Sequence, residues 1–302
     1  MQNTSQDFGL FIENIRVSRK ILQDDFVDGI ISKRQYQRYL KGESAISNEK
    51  IFKLVDRLEM NFLNIYSLYF SRENTEYTYV SQIYSNIINM KYKDAYNLLS
   101  EYNKSDLTSK YNETFFEFCE ISTLHYLKRI PTDVAMNKFK ILIDYPNCLN
   151  FKEVNFVELI TLISISNHAY KKSNDKRAIF FLYNILKNKN AAKFGDLNSK
   201  IPSLIANVCN SLGQMDENEK VLSLAQTGIN ICLKNHISNS LVHLFYYKAL
   251  ALLYLGRTEE AKISIKKSFL LLYVEDNREK SEIFEVNLKK HFGLNISDLE
   301  KV

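Results

Sequence analysis

The stretch ISKRQYQRYLKGESAISN, residues 31–48, contains one short helix between a start signal and a stop signal. Ser32 is a favourable N-cap residue and Gly42 is favourable just beyond a C-terminus, so the sequence predicts a helix from Lys33 to about Lys41. This segment carries four cations and no acid. A helix of that charge is either a solvated surface helix or one that contacts a polyanion.

The two faces of this helix differ. Tyr36 and Tyr39, with Leu40, supply an inward face. Side chains near the N-terminal end of such a helix can reach base edges in the major groove of DNA. We assign base reading to three outward residues: Lys33, Arg34 and Gln37. We assign phosphate contacts to three others: Gln23, Arg38 and Lys41.

The residues around this helix form further short apolar segments. Phe8, Phe11, Ile12 and Ile15 keep the i, i+3, i+4, i+7 spacing of one buried helix face. Shorter segments of the same kind cover residues 23–27, 50–58 and 62–68. Five short helices in about 60 residues match the scale of a helix-turn-helix domain.

The string from residue 31 to residue 48 resembles the helix-turn-helix of the lambda repressor and Cro type, and more closely the version that heads the Rgg regulators. The matching residues are Ser32, Arg38, Gly42, Glu43, Ser44, Ile46 and Ser47. Tyr39 stands for the usual Phe, Gln37 for the usual Ser and Leu40 for the usual Glu. The resemblance implies a DNA-binding head.

The rest of the chain contains a repeat, which is clearest in ALALLYLGRTEEAKISIKKS, residues 249–268. This unit resembles the tetratricopeptide pattern, with Gly256 at the turn between two helices and Ala261 on the second helix. Ala261 is expected where the two helices cross, because a larger side chain there would force them apart. A generic helical bundle is the alternative.

Weaker copies of this unit lie upstream. The alanines that mark them are Ala95, Ala135, Ala178, Ala225 and Ala261, at intervals of 40, 43, 47 and 36 residues. In the fourth copy we place the interhelix turn at Gly213. The sequence therefore predicts five helix pairs, stacked as a right-handed superhelix whose first helices line a concave groove.

Polar residues on the predicted first helices suggest a ligand for this groove. We assign peptide binding to Asn167, His168, Lys171, Asn207, Asn210 and Leu250. A helix interior disfavours Asn, and its amide offers both the donor and the acceptor that an extended peptide main chain needs. The alternative is that these asparagines cap helices or are simply solvated.

Composition excludes several classes of protein. With 8 Gly and 3 Pro among 302 residues, the chain lacks the turn residues of a many-stranded β protein. The 45% hydrophobic and 25% charged fractions exclude wholesale disorder, whereas a net charge of +5 is too small to identify a polyanion binder. An all-α fold is expected.

Catalytic, metal and membrane signals are missing from the sequence. The four cysteines lie at least 23 residues apart, so we interpret them as small buried residues and expect no metal. No motif for catalysis or a cofactor occurs, and we expect a protein that is not an enzyme. No apolar run approaches the roughly 18 residues that cross a bilayer, so we expect a cytoplasmic protein with no membrane partner.

The predicted organisation is a helix-turn-helix domain at residues 1–70, a linker at 71–76 and a tetratricopeptide-like domain at 77–302. Both parts, in this order, resemble the peptide-sensing transcription regulators of the Rgg, PlcR and PrgX type. The resemblance implies a homodimer that binds a double-stranded operator with an inverted repeat. It also implies a short signalling peptide in the groove, and so a role in quorum sensing.

Two further interpretations stay open. One is a tetratricopeptide adaptor or inhibitor of a protein partner, from which the basic residues of the head distinguish this chain. The other is a phage or plasmid regulator of lysogeny or conjugation with the same architecture. For the dimer contact we expect residues 263–274 and 281–292, because the run FLLLYV at 269–274 is apolar on all sides.

Overall fold

The structure, a computed structural model, describes residues 4–73, 75–151, 153–188, 200–238, 240–276 and 278–299. All regular structure in these ranges is helical, which confirms the all-α prediction. The chain divides into two compact units. The first contains residues 1–90 and 105–108, and the second contains residues 91–104 and 109–302.

The first unit contains six helices within the described ranges. They are α1 (Thr4–Ser18), α2 (Gln23–Val27), α3 (Lys33–Leu40), α4 (Asn48–Arg57), α5 (Phe62–Glu73) and α6 (Thr75–Ile88). The five short helices predicted for the head are α1 to α5. The linker predicted at residues 71–76 falls on the end of α5 and the start of α6, and its residue 74 lies outside the described residues.

The core of the head is aromatic and explains the position of α3. Phe26, Tyr36 and Tyr39 are almost fully buried, together with aliphatic residues of α1, α4 and α5. Helix α1 passes very close to α3, because a Cβ atom added at Gly9 would lie 2.5 Å from the Tyr39 ring. These contacts hold one face of α3 inside and leave the opposite face to solvent.

The second unit is a series of helical hairpins followed by two terminal helices. Its helices are α7 (Tyr92–Glu101), α8 (Lys110–Tyr126), α9 (Thr132–Leu142), α10 (Phe156–Ser173), α11 (Arg177–Lys187), α12 (Ile201–Gly213), α13 (Asn218–Asn235), α14 (Leu241–Tyr254), α15 (Thr258–Glu275), α16 (Arg278–Phe292) and α17 (Ile296–Leu299). Helices α8 to α15 form four successive pairs, and each pair packs on the next.

The alanines that define the predicted repeat differ in where they lie on their helices. All five are fully buried: Ala95, Ala135, Ala178, Ala225 and Ala261. Ala135, Ala178 and Ala261 lie near the start of the second helix of a pair, whereas Ala225 is in the middle of α13. Ala95 lies on α7, and α6, the helix predicted to pair with α7, belongs to the first unit. Gly228 on α13 packs even more closely. A Cβ atom at this position would lie 2.8 Å from a methyl carbon of Leu244 and 2.9 Å from one of Ile205, so any larger residue would displace these buried side chains of α14 and α12.

The turn between α12 and α13 differs from the prediction. Gly213 is the last residue of α12, and the left-handed residue of the turn is Asp216, with φ 58°. The Glu217 N–H donates to the Leu212 carbonyl at 3.1 Å, the six-residue closure that ends a helix in this way. Gly256 occupies the same place in the turn between α14 and α15, with φ 76°. Asp tolerates this conformation better than most residues, so the turn does not need glycine.

The terminal helices close the array. Phe269 and Leu272 of α15 pack with Phe284 and Leu288 of α16 in one apolar cluster. The predicted all-apolar run at residues 269–274 is therefore split, with part of it in the core and part on the surface. Within the described ranges, no helix has both the length and the hydropathy to span a membrane.

Candidate functional site

The outward face of α3 begins at a capped N-terminus. The Ser32 hydroxyl accepts a hydrogen bond from the Gln35 N–H at 3.2 Å, which confirms the predicted N-cap, and Gly42 has the left-handed φ of 74° expected after the helix. Because Tyr36 and Tyr39 are buried, the polar side chains between them point outward. The exposed residues are Lys33, Arg34, Gln37, Arg38 and Lys41.

The exposed cations on this face differ in whether they form an ion pair. Lys33 Nζ lies 2.9 Å from Asp24 Oδ2, and Arg38 Nε lies 3.6 Å from Glu43 Oε2. Both are solvent-exposed pairs, which stabilise a fold very little and open readily for a stronger anion. Arg34 makes no hydrogen bond or ion pair with the part of the chain that the structure describes. Its guanidinium is therefore available to a ligand.

A carboxylate on α1 supports this face from behind. Glu13 accepts hydrogen bonds from Arg16 Nη2 at 2.7 Å and from the Tyr36 hydroxyl at 2.9 Å. Gln23 donates to Glu13 at 3.4 Å and accepts from Gln37 at 3.4 Å. The network therefore connects α1, α2 and the outward side chain of Gln37.

The electrostatics of this network favour a charged Glu13. The hydrogen bond from Arg16 holds the pKa of Glu13 below its ordinary value, although burial alone would raise it. Burial, together with the neighbouring Glu13, raises the pKa of Tyr36. Sequence reasoning missed Glu13, and the available signal was its i, i+3 spacing to Arg16 on one helix face.

The turn between α2 and α3 has a second support that the sequence analysis missed. Arg57 Nη1, at the end of α4, donates to the carbonyl oxygens of Asp25 and Asp28, each at 2.7 Å. These carbonyls lie at the C-terminal end of α2, where a cation is favourable. The contact is distant in sequence, so no local pattern indicates it.

In the second unit, α12 has one exposed stripe. Its exposed polar residues, Ser203, Asn207, Asn210 and Gln214, follow one another at spacings of four, three and four residues. That spacing keeps all four on one face of the helix. Cys209 lies toward α13, where its Sγ is 3.8 Å from the Val221 carbonyl. The stripe with Asn207 and Asn210 therefore faces away from α13.

Asn167 on α10 joins this stripe. Its Oδ1 accepts a hydrogen bond from the Ser211 hydroxyl of α12 at 2.5 Å, which connects the first helices of two successive hairpins. Asn167 and Asn207 are 40 residues apart in sequence, as are Asn210 and Leu250. Leu250 is half-buried on α14. Asn167 and Asn207 thus share one position of the repeat, and Asn210 and Leu250 share another.

The other two predicted groove residues lie elsewhere on α10. His168 Nε2 lies 3.2 Å from Asp133 Oδ1 on α9, and Lys172 Nζ lies 2.7 Å from the same oxygen. The hydrogen bond from Lys172, followed by its charge and by His168, lowers the pKa of Asp133. His168 therefore faces the preceding hairpin, and Lys171 is exposed next to it.

The remaining reactive side chains are mostly buried and dispersed. All four cysteines are buried and free, and burial raises the pKa of the Cys148 and Cys232 thiols to about 11. Burial lowers the pKa of His243 to about 4. Among the described residues, no three His, Cys, Asp or Glu side chains are grouped as metal ligands would be.

The last helices carry an exposed apolar surface. The side chains that are more than half exposed there are Ile263, Leu270, Tyr273, Val274, Ile283 and Val286. Ile263, Leu270 and Val274 share one face of α15, because they are seven and four residues apart. The two segments predicted for dimer contact thus contain apolar side chains available to a partner.

Comparison with known proteins gives matches in structure alone. No protein-family model matches the sequence, and no curated protein matches it. The crystal structure of Bacillus thuringiensis PlcR in complex with the peptide PapR7 and DNA has a TM-score of 0.70 and 18% identity, covering 92% of this chain and 98% of that one.

Two streptococcal structures are similar as well. ComR from S. thermophilus, in complex with DNA and its signalling peptide ComS, has a TM-score of 0.64 and 14% identity, covering 95% of this chain and 100% of that one. The pheromone receptor Rgg2 of Streptococcus dysgalactiae has a TM-score of 0.63 and 13% identity, covering 95% and 98%. The resemblance to Rgg and PlcR type proteins is thereby confirmed in fold, with the helix-turn-helix head preceding the repeats.

Proposed function

We propose that this protein is a cytoplasmic transcription regulator of the quorum-sensing kind, which binds operator DNA as a homodimer and is switched by a short signalling peptide. One observation carries the proposal. A single chain presents a capped basic helix in a helix-turn-helix head and an amide-bearing stripe on the first helices of a repeat array. Proteins of the same fold, PlcR and ComR, are seen in complex with both DNA and a peptide.

In the DNA complex, the outward face of α3 enters the major groove. Arg34 and Gln37 contact base edges, and Lys33 joins them once a phosphate or base replaces Asp24 as its partner. Arg38 and Lys41, farther along α3, contact phosphates together with Gln23 at the start of α2. The phosphate contacts place the head on the duplex, and the base contacts choose the sequence.

The operator is an inverted repeat because a homodimer with two-fold symmetry binds it. One helix-turn-helix reads few base pairs, and dimers of such heads bind half-sites one helical turn, or a multiple of it, apart. The exposed apolar residues of α15 and α16 supply a surface for the second copy. Contiguous exposed apolar surface of this kind marks interaction sites.

In the groove, asparagine side chains hold the main chain of an extended peptide. Asn167, Asn207 and Asn210 supply amide donors and acceptors, and the half-buried Leu250 supplies an apolar contact at the next hairpin. His168 and Lys171 belong to the margin of this site. The peptide controls DNA binding only through its differential affinity for two arrangements of the dimer, with about 1–3 kcal/mol as the usual coupling.

The test is selection of DNA by the purified protein from randomised duplexes, followed by footprinting. We expect enrichment of an inverted repeat and protection of both halves. Arg34→Ala should abolish the enrichment, whereas Lys53→Ala, which removes an exposed cation of α4 outside this face, should not. Enrichment of no sequence, or protection of one asymmetric half-site, would contradict the proposal.

A further inference from the structure

Two asparagines at equivalent places in the groove differ in how they are held. Asn167 Oδ1 accepts the hydrogen bond of the Ser211 hydroxyl at 2.5 Å, and Ser211 is fully buried. The side chain of Asn207 makes no hydrogen bond with the described residues. The main-chain carbonyl oxygen of Asn207 lies 3.1 Å from the Ser211 hydroxyl. A hydroxyl has one proton, and the shorter contact takes it.

The bond from Ser211 decides which atom Asn167 offers to a ligand. A primary amide has one acceptor oxygen and one nitrogen with two donor protons. The bond from Ser211 turns Oδ1 toward a buried hydroxyl, and the two protons of the nitrogen make no hydrogen bond with the described residues. Asn167 is therefore a donor, and the group that complements it on a peptide is a main-chain carbonyl oxygen.

The next hairpin of the repeat has an asparagine at the same position but no serine to bind it. Asn207 follows Asn167 by 40 residues, and Ala251 follows Ser211 by the same 40. Ala251 is buried on α14, as Ser211 is on α12, and it has no hydroxyl to donate. Asn207 can consequently turn either its oxygen or its nitrogen toward a ligand.

We propose that Ser211 is a positioning residue that fixes the amide of Asn167 as a donor to one main-chain carbonyl of the bound peptide, while Asn207 adapts to the next peptide unit. This inference rests on the proposed peptide-binding function. It assigns a polarity to the site, because the peptide unit next to α10 must present its carbonyl and not its N–H.

The first experiment reverses that polarity without changing shape. The probe is a heptapeptide selected on the wild-type protein from a random synthetic library, and its affinity is measured by calorimetry. Asn167→Asp replaces the donor by an acceptor and should weaken binding about 100-fold. Asn207→Asp adds the same charge to the same groove and should cost no more than about 10-fold. Equal losses, or full affinity in Asn167→Asp, would overturn the inference.

The second experiment tests Ser211 directly. Ser211→Ala should weaken binding about 5- to 10-fold in the wild-type background and have no effect when Asn167 is already alanine. A merely structural serine would cost the same in both backgrounds, and that additivity overturns the assignment.

A third variant transfers the hydrogen bond to the next hairpin. Ala251→Ser places a hydroxyl opposite Asn207, after which Asn207→Asp should become as damaging as Asn167→Asp. An unchanged response of Asn207→Asp would contradict the proposed geometry. If the wild-type protein selects no peptide at all, the proposed function itself fails, and the inference fails with it. If the protein binds a peptide but the losses of affinity in Ser211→Ala and Asn167→Ala are additive, only the inference fails.

Discussion

The DNA-facing helix α3 and the groove helix α12 both present a polar stripe, but they hold it in different ways. On α3, Lys33, Gln37 and Arg38 each contact a residue outside the helix. On α12, the side chains of Asn207 and Asn210 have no partner on another described helix. Of these three, Gln37 is connected through Gln23 to Glu13, whereas the ion pairs of Lys33 and Arg38 open when DNA binds. A side chain positioned before binding loses less conformational entropy in the complex, and Asn207 and Asn210 lack that positioning.

The largest expected effect tests whether the two regions are supported separately. Gly9→Ala drives a methyl group into the Tyr39 ring of the head, and Gly228→Ala drives one into Leu244 and Ile205 of the array. Each should destabilise its own unit by about 1–3 kcal/mol, as overpacking does. Hydrogen exchange should show loss of protection in α1 and α3 for the first variant and in α12 to α14 for the second.

The matched control for Gly228 is Gly213, which has open space where a Cβ would be. Gly213→Ala should raise stability by about 0.5–1 kcal/mol, because alanine is the better helix former. If Gly228→Ala stabilises the protein as much as Gly213→Ala does, the close packing of α12, α13 and α14 around Gly228 is contradicted. If either variant loosens both units alike, the two regions do not fold as separate bodies.

The next effect separates base reading from phosphate contact on α3. Gln37→Ala should reduce discrimination between operator and scrambled DNA by about 1–3 kcal/mol, since a bidentate base contact is lost. Arg38→Ala should weaken binding to both DNAs and reduce the salt slope by about one unit. Titrations at several salt concentrations measure both quantities. The same behaviour in both variants would mean that α3 binds without reading sequence.

The third effect concerns the groove and has a control on the same array. Asn210→Ala should cost about 1–3 kcal/mol of peptide affinity, because a buried peptide amide is left unpaired. His168→Ala should leave the affinity nearly unchanged, since its ring faces Asp133 of the preceding hairpin. Calorimetry with the selected heptapeptide gives both values, and the reverse ranking would contradict the placing of His168 at the margin of the site.

The head was largely predictable from the sequence because its signals are local. Ser32 and Gly42 mark both ends of α3, and the structure confirms both. The support behind α3 was not predictable, since Glu13 and Tyr36 are 23 residues apart and meet only through packing. Local chemistry therefore indicated the face of the helix but not what holds it.

In the array, the buried positions that require a small residue were predictable from the sequence. The direction in which each side chain points around its helix was less predictable. The burial of all five alanines was predictable, because a small residue is needed where helices cross. The spacing was less exact, since Ala225 lies in the middle of α13 rather than near its start. The face of α10 was harder, because a shift of one residue turns a side chain by about 100° around a helix. Unequal repeat intervals allow such shifts. The predicted His168 accordingly faces α9, and its neighbour Asn167 contacts α12.

The smallest expected effect is a pH dependence confined to the head. The pKa of Glu13 is lower in the folded protein than in the unfolded chain, where it is about 4.3. Its stabilising contribution is therefore fully present above about pH 4.3 and is lost as the pH falls through the folded pKa. Glu13→Gln removes this dependence while keeping an acceptor for Tyr36.

The measurement is the unfolding of α1 and α3 between pH 7 and pH 3, followed by hydrogen exchange in both proteins. Wild type and Glu13→Gln should differ most at pH 7 and converge at the acid end, because protonation makes the carboxyl group resemble the amide. In the array, Glu217 next to α12 forms its own ion pairs with Lys176 and Lys220, and the substitution at Glu13 leaves them unchanged. The α12 to α14 signals should therefore respond equally in both proteins. A difference that persists at pH 3, or that appears in α12, would show that Glu13 acts by shape or at a distance rather than by its charge behind the recognition face.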